Sequence, residues 1–387
     1  MKMMKRNSLK RSALLVAVGS ALVTLSSCGA LRDDNGRPLN GLNPKGEGAR
    51  IIDNLMNPVF LVAGIIFVLV EVGILVMLVK FRKRSDDQAD PAQVHGLNTL
   101  EWGWTIAPAI LLAILAIFNV QAIWDLQKID ADHITVEVIG QQWWWEYRYD
   151  TNNDGTPDII TANQLVIQAK QQVELRIRSN DVIHSFWIPQ LNGKKDAVPG
   201  RVHDWTLKAD APGTFAGTCT EFCGLSHAYM RMEVKALSPE DFSAWIASQK
   251  KVPQKPAAGT LAAKGRDEFV SQCAQCHQIN GYDPDAAVKD TDGTPNPDYR
   301  GKNHPLTSDN APNLTHLMSR TKFAGNLFDL YVGEGENAQP NTSQIGDWLR
   351  EPDKLKPMAA DQNRGMPNLK LTEDQIEALV AYLVTLK

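Results

Sequence analysis

The chain has 387 residues, a hydrophobic fraction of 43% and a formal net charge of −4, with 27 glycines and 21 prolines. This length accommodates two or three domains, and the composition excludes bulk disorder. The mildly acidic balance argues against nucleic acid as a partner, and it favours basic partners, if any.

The N-terminus carries the pattern of an export signal. A basic segment precedes an apolar one, and "LSSC" then resembles the lipobox of a bacterial lipoprotein. We therefore predict cleavage after residue 27 and lipidation of the Cys28 thiol. Removal of residues 1–27 would make the chain more acidic, since it deletes five basic residues: Lys2, Lys5, Arg6, Lys10 and Arg11.

Two further apolar segments follow the signal, at residues 58–80 and 103–124. Each is long enough to cross a bilayer as a helix. The cluster "KFRKR" directly after the first segment predicts a cytoplasmic loop between the two. Both flanking parts of the chain then face outward, which agrees with the export signal. We expect a multi-pass protein of the bacterial inner membrane.

From residue 133 to residue 238, short alternating runs are separated by turn residues every 8–12 positions. This spacing predicts an antiparallel sandwich or barrel. Ser238 is the predicted N-cap of a short helix, and Thr372 with Gln375 forms a predicted capping box on a terminal helix. The predicted boundaries are 28–130 for the lipidated N-terminus with two transmembrane helices, 131–250 for the all-β domain, 251–260 for a linker and 261–387 for an all-α domain.

The segment "CTEFCGLSHAYM" at 219–230 concentrates soft metal ligands. Thiolate, imidazole and thioether together favour copper over magnesium, calcium or manganese. Cys219, Cys223, His227 and Met230 supply four such groups, and His184 on a preceding strand is the candidate second histidine. This set exceeds the needs of one tetrahedral ion and suits two copper ions that share bridging thiolates.

Two alternatives remain open on the residues alone. A zinc site formed by the two cysteines and the two histidines would leave Met230 without a role. A disulfide between Cys219 and Cys223 is possible in an exported chain, but it would leave both histidines unexplained.

The segment "CAQCH" fits the C-x-x-C-H pattern of covalent c-type haem attachment. Cys273 and Cys276 would form the two thioether links, and His277 would be the proximal ligand. The predicted export supports this interpretation, because c-type haem is attached outside the cytoplasm. A thioredoxin-like C-x-x-C motif is the alternative, but no βαβ pattern surrounds it.

Residues 50–240 resemble subunit II of haem-copper cytochrome c oxidase. The cluster C-x-E-x-C-x3-H-x2-M matches that family at every position, and "DVIHSFWIP" at 181–189 and "DAVPGR" at 196–201 match as well. The resemblance implies a cupredoxin barrel behind a two-helix hairpin, with a dinuclear copper A centre. It implies as copper ligands His184, Cys219, Cys223, His227, Met230 and the backbone carbonyl of Glu221. The Glu221 side chain would reach a magnesium or manganese ion at the boundary with subunit I.

Residues 260–387 resemble a class I cytochrome c through "APNL" at 311–314, "WLREP" at 348–352 and "RGMP" at 364–367. The methionine–proline pair makes Met366 the candidate axial ligand, with Met358 and Met318 as alternatives. A Met/His pair raises the haem potential for electron transfer. Residues 280–310 form a longer loop than is usual in the family, and the sequence assigns it no role.

The oxidase resemblance gives roles to two more residues. It aligns Trp143, in "GQQWWWEYRY" at 140–149, with the surface tryptophan that receives electrons from cytochrome c. An aromatic belt at the membrane surface is the alternative for this segment. The resemblance also aligns Glu101 with the mouth of the K proton channel, although the helix dipole alone could explain a glutamate there.

Two acidic features receive other interpretations. Glu71 lies within the first apolar segment, where an ionisable group is expected to have a partner, and we expect that partner in subunit I. The segment "DTNNDGTPD" at 150–158 imitates a calcium loop, but Thr161 stands where a bidentate glutamate is needed. A hairpin turn is the preferred interpretation.

Together these features predict the electron-accepting subunit of a haem-copper terminal oxidase, with a fused cytochrome c as in caa-type oxidases. Covalent haem c would pass electrons to copper A and then to haem a in subunit I, where oxygen is reduced with coupled proton translocation. Expected partners are subunits I and III, membrane lipid, and a cytochrome bc complex or a cytochrome c as donor.

Proteins of other classes remain as alternatives. A nitrous-oxide reductase-like enzyme shares copper A but needs a histidine-rich catalytic site, and this chain has eight histidines. A membrane-anchored electron carrier would not need the paired helices with Glu101 at their base. Quinol oxidase subunit II keeps the hairpin and the barrel but lacks these ligands, so the cluster itself excludes that class.

Overall fold

The computed structural model describes residues 39–82, 96–279 and 311–387, apart from residues 156, 252, 334 and 363. The predicted lipidation site Cys28 and the long loop at 280–310 lie outside the described residues.

Two long apolar helices come first, α1 (Glu47–Lys80) and α2 (Asn98–Leu126). Each is long and apolar enough to cross a membrane, and each contains one of the two predicted spans. Their apolar side chains are largely exposed in the isolated chain. A hydrophobic surface of this extent requires lipid or another apolar partner.

Helix α1 begins well before the predicted span, because its first turns contact the β domain. The amide of Ala49 donates to the carbonyl of Leu191 at 2.9 Å. The Arg50 guanidinium pairs with the Asp210 carboxylate at 2.5 Å. These contacts fix the β domain against the end of the helix hairpin.

The β domain consists of two five-stranded sheets, with strand orders β3-β2-β1-β5-β8 and β4-β10-β9-β6-β7. The strands are β1 (His133–Gln141), β2 (Trp144–Asp150), β3 (Ile159–Ala162), β4 (Gln164–Gln168), β5 (Gln172–Ser179), β6 (His184–Trp187), β7 (Lys195–Ala197), β8 (His203–Leu207), β9 (Gly213–Cys219) and β10 (Arg231–Leu237). This architecture confirms the predicted cupredoxin-like domain.

The core of the β domain lies between its two sheets. Trp145, Tyr147 and Tyr149 alternate along β2 and are fully buried, as the two-residue period of a strand requires. Helix α3 (Pro239–Gln249) closes one end, where Trp245 packs 5.2 Å from the Tyr149 ring. The predicted N-cap is confirmed, since the Ser238 side chain accepts from the amide of Asp241.

The predicted all-antiparallel pairing is wrong at two places. Strand β1 pairs in parallel with β5, and β4 pairs in parallel with β10. The consecutive strands β4 and β5 lie in different sheets. Because the chain changes sheets between them, each strand meets a neighbour that is distant in sequence.

The C-terminal domain is mainly helical, as predicted. Its helices are α4 (Leu261–Gln272), α5 (Thr342–Arg350), α6 (Pro352–Leu355) and α7 (Glu373–Leu383). Two short strand pairs join β11 (Lys322–Phe323) to β12 (Phe328–Asp329), and β13 (Tyr331–Val332) to β14 (Gln339–Pro340). The Thr372–Gln375 capping box is confirmed at the start of α7.

Candidate functional site

Sheet pairing brings the copper-ligand candidates together. Strand β9 ends at Cys219, and its antiparallel partner β6 begins at His184. The loop between β9 and β10 carries Cys223, His227 and Met230, and a single 3-10 turn covers His227–Tyr229. The loop therefore folds back onto the strand end that presents His184.

Each of the other donor atoms of this cluster lies close to one of the two cysteine sulfur atoms. The Cys219 and Cys223 sulfur atoms are 3.9 Å apart. The His184 Nδ1 lies 4.0 Å from the Cys219 sulfur, and the His227 Nδ1 lies 3.5 Å from the Cys223 sulfur. The Met230 sulfur is 3.8 Å from the Cys223 sulfur.

Glu221 enters the cluster through its backbone. Its carbonyl oxygen lies 3.3 Å from the Cys219 sulfur, while its side chain is exposed. The structure thus brings together all six predicted donors, one weak donor beside each bridging thiol.

Two sulfur atoms 3.9 Å apart do not form a disulfide, whose bond length is near 2.04 Å. Both cysteines are free and buried. Six donors arranged around two thiols exceed one tetrahedral zinc site and fit two ions with bridging thiolates. The described residues therefore fit a dinuclear copper centre.

Hydrogen bonding between the two thiols favours the thiolate form of Cys219. The hydrogen bond from Cys223 lowers the pKa of Cys219 to about 4, and the same shared proton raises the pKa of Cys223. The thiolate is the form of cysteine that binds metals.

Asp181 is a residue of this site to which the sequence analysis gave no role. Its carboxylate lies 2.8 Å from the His184 Nε2, which turns the Nδ1 towards the sulfur atoms. Burial lowers the pKa of His184, but hydrogen bonds to Asp181 and Cys219 outweigh burial and leave that pKa raised. A carboxylate three residues before a ligand histidine is the signal that could have identified it.

Trp143 lies between the two predicted redox sites. Its indole N–H donates to the carbonyl of Cys223 at 2.9 Å, and its ring lines the cavity of the C-terminal domain. Only 2% of Trp143 is exposed, because the chain's own C-terminal domain covers it. Trp144 and Trp145 are also buried, so the aromatic-belt interpretation is wrong.

The cavity of the C-terminal domain is mainly apolar and includes the C-x-x-C-H residues. Cys273, Cys276 and His277 line it, together with Met366. The His277 Nδ1 donates to the carbonyl of Pro312 at 2.9 Å, which leaves Nε2 free to bind iron. Burial lowers the pKa of His277 and favours the neutral imidazole that binds metals.

The methionine alternatives differ in position. Among the described residues that line the cavity, Met366 is the single methionine. Met318 is buried in the helical core, and its carbonyl accepts from the Tyr331 hydroxyl. Met358 lies next to Gly365, as the geometry shows: a Cβ added to that glycine would be 2.6 Å from the Met358 Cβ. The cavity therefore favours Met366, and the axial ligand stays a prediction.

The remaining predicted residues are less informative. Glu101 lies in the first turn of α2 and is exposed, and Glu71 is exposed within α1.

The segment at 150–158 forms the predicted turn, since β2 and β3 pair as a hairpin around it. The Asp150 carboxylate accepts there from the amide of Gly155 at 2.7 Å, and Lys250 pairs with Asp158 at 2.8 Å.

Three family models match successive parts of the chain. They are the transmembrane domain of cytochrome c oxidase subunit II at residues 46–122, the periplasmic domain of that subunit at 153–237, and cytochrome c at 262–387. The match order reproduces the observed order of helix hairpin, β domain and helical domain. Together they define a membrane-anchored subunit of a haem-copper oxidase with an attached cytochrome c domain.

Relatives over the whole chain agree with this class. Cytochrome c oxidase subunit 2 of Alkalihalophilus pseudofirmus is 33% identical over 377 residues, covering 95% of each chain. The Bacillus subtilis protein of the same name is 31% identical and covers 80% of this chain and 81% of its own. The chain belongs to the cytochrome c oxidase subunit 2 family.

A solved structure of a periplasmic domain is also similar to part of this chain. The periplasmic domain of cytochrome oxidase subunit II from Bradyrhizobium japonicum is 27% identical, with a TM-score of 0.29, and the match covers 32% of this chain and 97% of that one. Family membership implies copper A, haem c, electron transfer and association with subunit I.

Proposed function

We propose that this chain is the electron-accepting subunit of a terminal oxidase in a bacterial inner membrane. With haem c and copper A bound, the chain would carry electrons from a cytochrome bc complex or a cytochrome c to haem a in subunit I, where oxygen is reduced. When bound, the two groups supply one-electron transfer at rigid sites.

The observation that carries this proposal is the placement of Trp143. Its ring lines the predicted haem cavity, and its N–H contacts the carbonyl of the copper-ligand candidate Cys223. A single buried side chain therefore touches both sites, which a structural metal site would not require.

Some residues of the chain would hold the haem or the copper ions, and others orient the side chains that do so. Cys273 and Cys276 would attach the haem, and His277 and Met366 would be the residues that bind its iron. His184, Cys219, Cys223, His227, Met230 and the Glu221 carbonyl hold copper. Asp181 orients His184, and the protein surrounds both sites with apolar side chains that exclude water.

The finer assignments are part of the same proposal. The Glu221 side chain faces a magnesium or manganese ion shared with subunit I, and Glu101 lies at a proton channel that contributes to proton translocation. Cys28 carries lipid, the copper and haem domains lie outside the cytoplasm, and subunit III completes the assembly. The exposed position of Glu221 and the location of Glu101 in the first turn of α2 support these roles.

Metal and haem analysis with EPR spectroscopy on the full chain, matured in an exporting host, tests the proposal. We expect two coppers and one haem per chain, with a mixed-valence signal shared by both coppers. One zinc, or haem without copper, would contradict the relay and leave a membrane-anchored cytochrome.

A further inference from the structure

The helical domain lies against the β domain through contacts distributed over a wide face. At the end of α3, the carbonyl of Gln249 lies 3.0 Å from the His316 Nε2. On β4 and β10, Gln164 and Glu233 bond the Thr321 hydroxyl at 2.8 and 2.6 Å. These contacts hold α3, β4 and β10 of the β domain against the helical domain.

Beside the copper loop, one side chain joins the domains directly. The Lys356 amine donates to the carbonyl of Trp143 at 2.6 Å and to the carbonyl of Ala324 at 3.3 Å. Trp143 belongs to the β domain, whereas Ala324 belongs to the turn between β11 and β12 of the helical domain. Lys356 itself lines the predicted haem cavity.

The surroundings of this amine are closely packed. Gly325 has a positive φ of 79°, and a Cβ there would lie 2.5 Å from the Tyr229 carbonyl and 2.7 Å from the Lys356 Nζ. The neighbouring carbonyl of Pro357 accepts from the Ser226 hydroxyl at 2.5 Å. The segments that carry Lys356 and Gly325 thus pack directly against the copper loop, with little room for either to shift.

Burial lowers the pKa of Lys356 to about 7, and both the amine and the ammonium donate hydrogen bonds to carbonyl oxygens. Without Lys356, the carbonyl of Trp143 would lose its donor in a water-poor environment. An acceptor left unpaired in such a place destabilises the arrangement that buries it.

We propose that Lys356 is a positioning residue that holds Trp143 between the haem cavity and the copper loop. The amine acts through the tryptophan backbone, so the indole keeps its contact with Cys223 on one side and with the cavity on the other. This inference rests on the proposed electron route, to which it adds a residue outside both sets of ligands.

The test replaces Lys356 with methionine in the full chain of the assembled oxidase. Lys354→Met is the matched control, because Lys354 lies two residues away and pairs with Glu351 on the surface. Electron transfer from haem to copper is followed optically after flash reduction of the haem. Hydrogen exchange of residues 224–230 is followed in parallel by mass spectrometry.

We expect Lys356→Met to slow haem-to-copper transfer by about tenfold, because loss of the hydrogen bond and an unpaired carbonyl depopulate the positioned state. Exchange at residues 224–230 should increase. The haem and copper spectra, and direct reduction of copper by a small reductant, should stay unchanged. Lys356→Gln retains a donor on a shorter side chain and should restore part of the rate.

Equal rates and equal exchange in Lys356→Met, Lys354→Met and the unaltered chain would overturn the positioning role. Altered copper or haem spectra in Lys356→Met would overturn it as well, since they would assign the lysine to folding of a site. Failure of the proposed function would differ, because the unaltered chain would then show no transfer from haem to copper.

Discussion

At the scale of single residues, Asp181 has the largest influence on how a copper ligand is presented. Its carboxylate accepts from the Gln142 amide at 2.7 Å and lies 2.8 Å from the His184 Nε2. The imidazole cannot rotate without breaking this contact, and its Nδ1 stays directed at Cys219. Partners of this kind commonly affect metal affinity almost as strongly as the ligands.

We predict that Asp181→Asn lowers copper affinity by about 10–100-fold, because the amide no longer favours the required imidazole orientation. Competition with a copper chelator measures the change. Asp204→Asn is the control, since Asp204 is exposed on β8. Equal affinities in the two variants would contradict a role for Asp181.

Met366 makes a second prediction at this scale. Met366→Ala should leave the haem covalently attached through Cys273 and Cys276, while loss of the axial sulfur shifts the iron towards high spin. The optical and EPR spectra of the purified chain report the spin state. An unchanged low-spin spectrum would transfer the axial role to Met358 or Met318.

At the scale of elements, the crossing of α4 and α7 determines the stability of the helical domain. Gly265 lies at the crossing, where a Cβ would come within 1.8 Å of the Ala378 carbonyl. The Phe269 and Tyr382 rings pack 5.7 Å apart on the same interface. The helices approach this closely because position 265 has no side chain.

Gly265→Ala should therefore destabilise the helical domain by about 1–3 kcal/mol, since the added methyl forces the helices apart. Denaturant unfolding followed at the haem absorption band measures the loss. Lys264→Ala changes the exposed neighbour and should shift stability by no more than about 0.5 kcal/mol. Equal stability of both variants would show that the crossing can relax.

The sequence predicted the helices, caps and strands because these depend on local patterns. Alternation identified β1 and β5, and the Thr372 capping box marked α7. The parallel pairs of β1 with β5 and β4 with β10 were not predictable, because pairing depends on which sheet each strand joins. Spacing within one loop grouped four copper ligands. His184 was a candidate because a second histidine was needed, but only the β6–β9 pairing shows that it lies beside them.

At the scale of the whole molecule, the two redox sites occupy separate cores and should fail separately. Cys219→Ser removes a bridging thiol, so we expect loss of the copper signal and of oxygen consumption. The haem spectrum should be retained, because Cys219 is not among the described residues that line the haem cavity. Metal analysis and oxygen-electrode measurements on the assembled oxidase check both results, and retained oxygen consumption would contradict the electron route.

The arrangement of the domains was beyond sequence reasoning. Lys356 and Trp143 are 213 positions apart, and no local pattern links them. The resemblance implied a surface tryptophan, but the attached helical domain buries it in this chain. The role proposed for Trp143 therefore does not require this tryptophan to be exposed to solvent.

The short segment between α3 and α4 gives these contacts a kinetic consequence. A tether of this kind holds its two ends at effective concentrations on the order of millimolar, so even weak contacts between the domains stay formed. In the proposed electron route, diffusional encounter, with its dependence on protein concentration and on salt, would be confined to the step in which a donor reaches the haem domain. Transfer from the haem domain to the copper domain would then depend neither on protein concentration nor on a diffusional search, because one chain carries both domains.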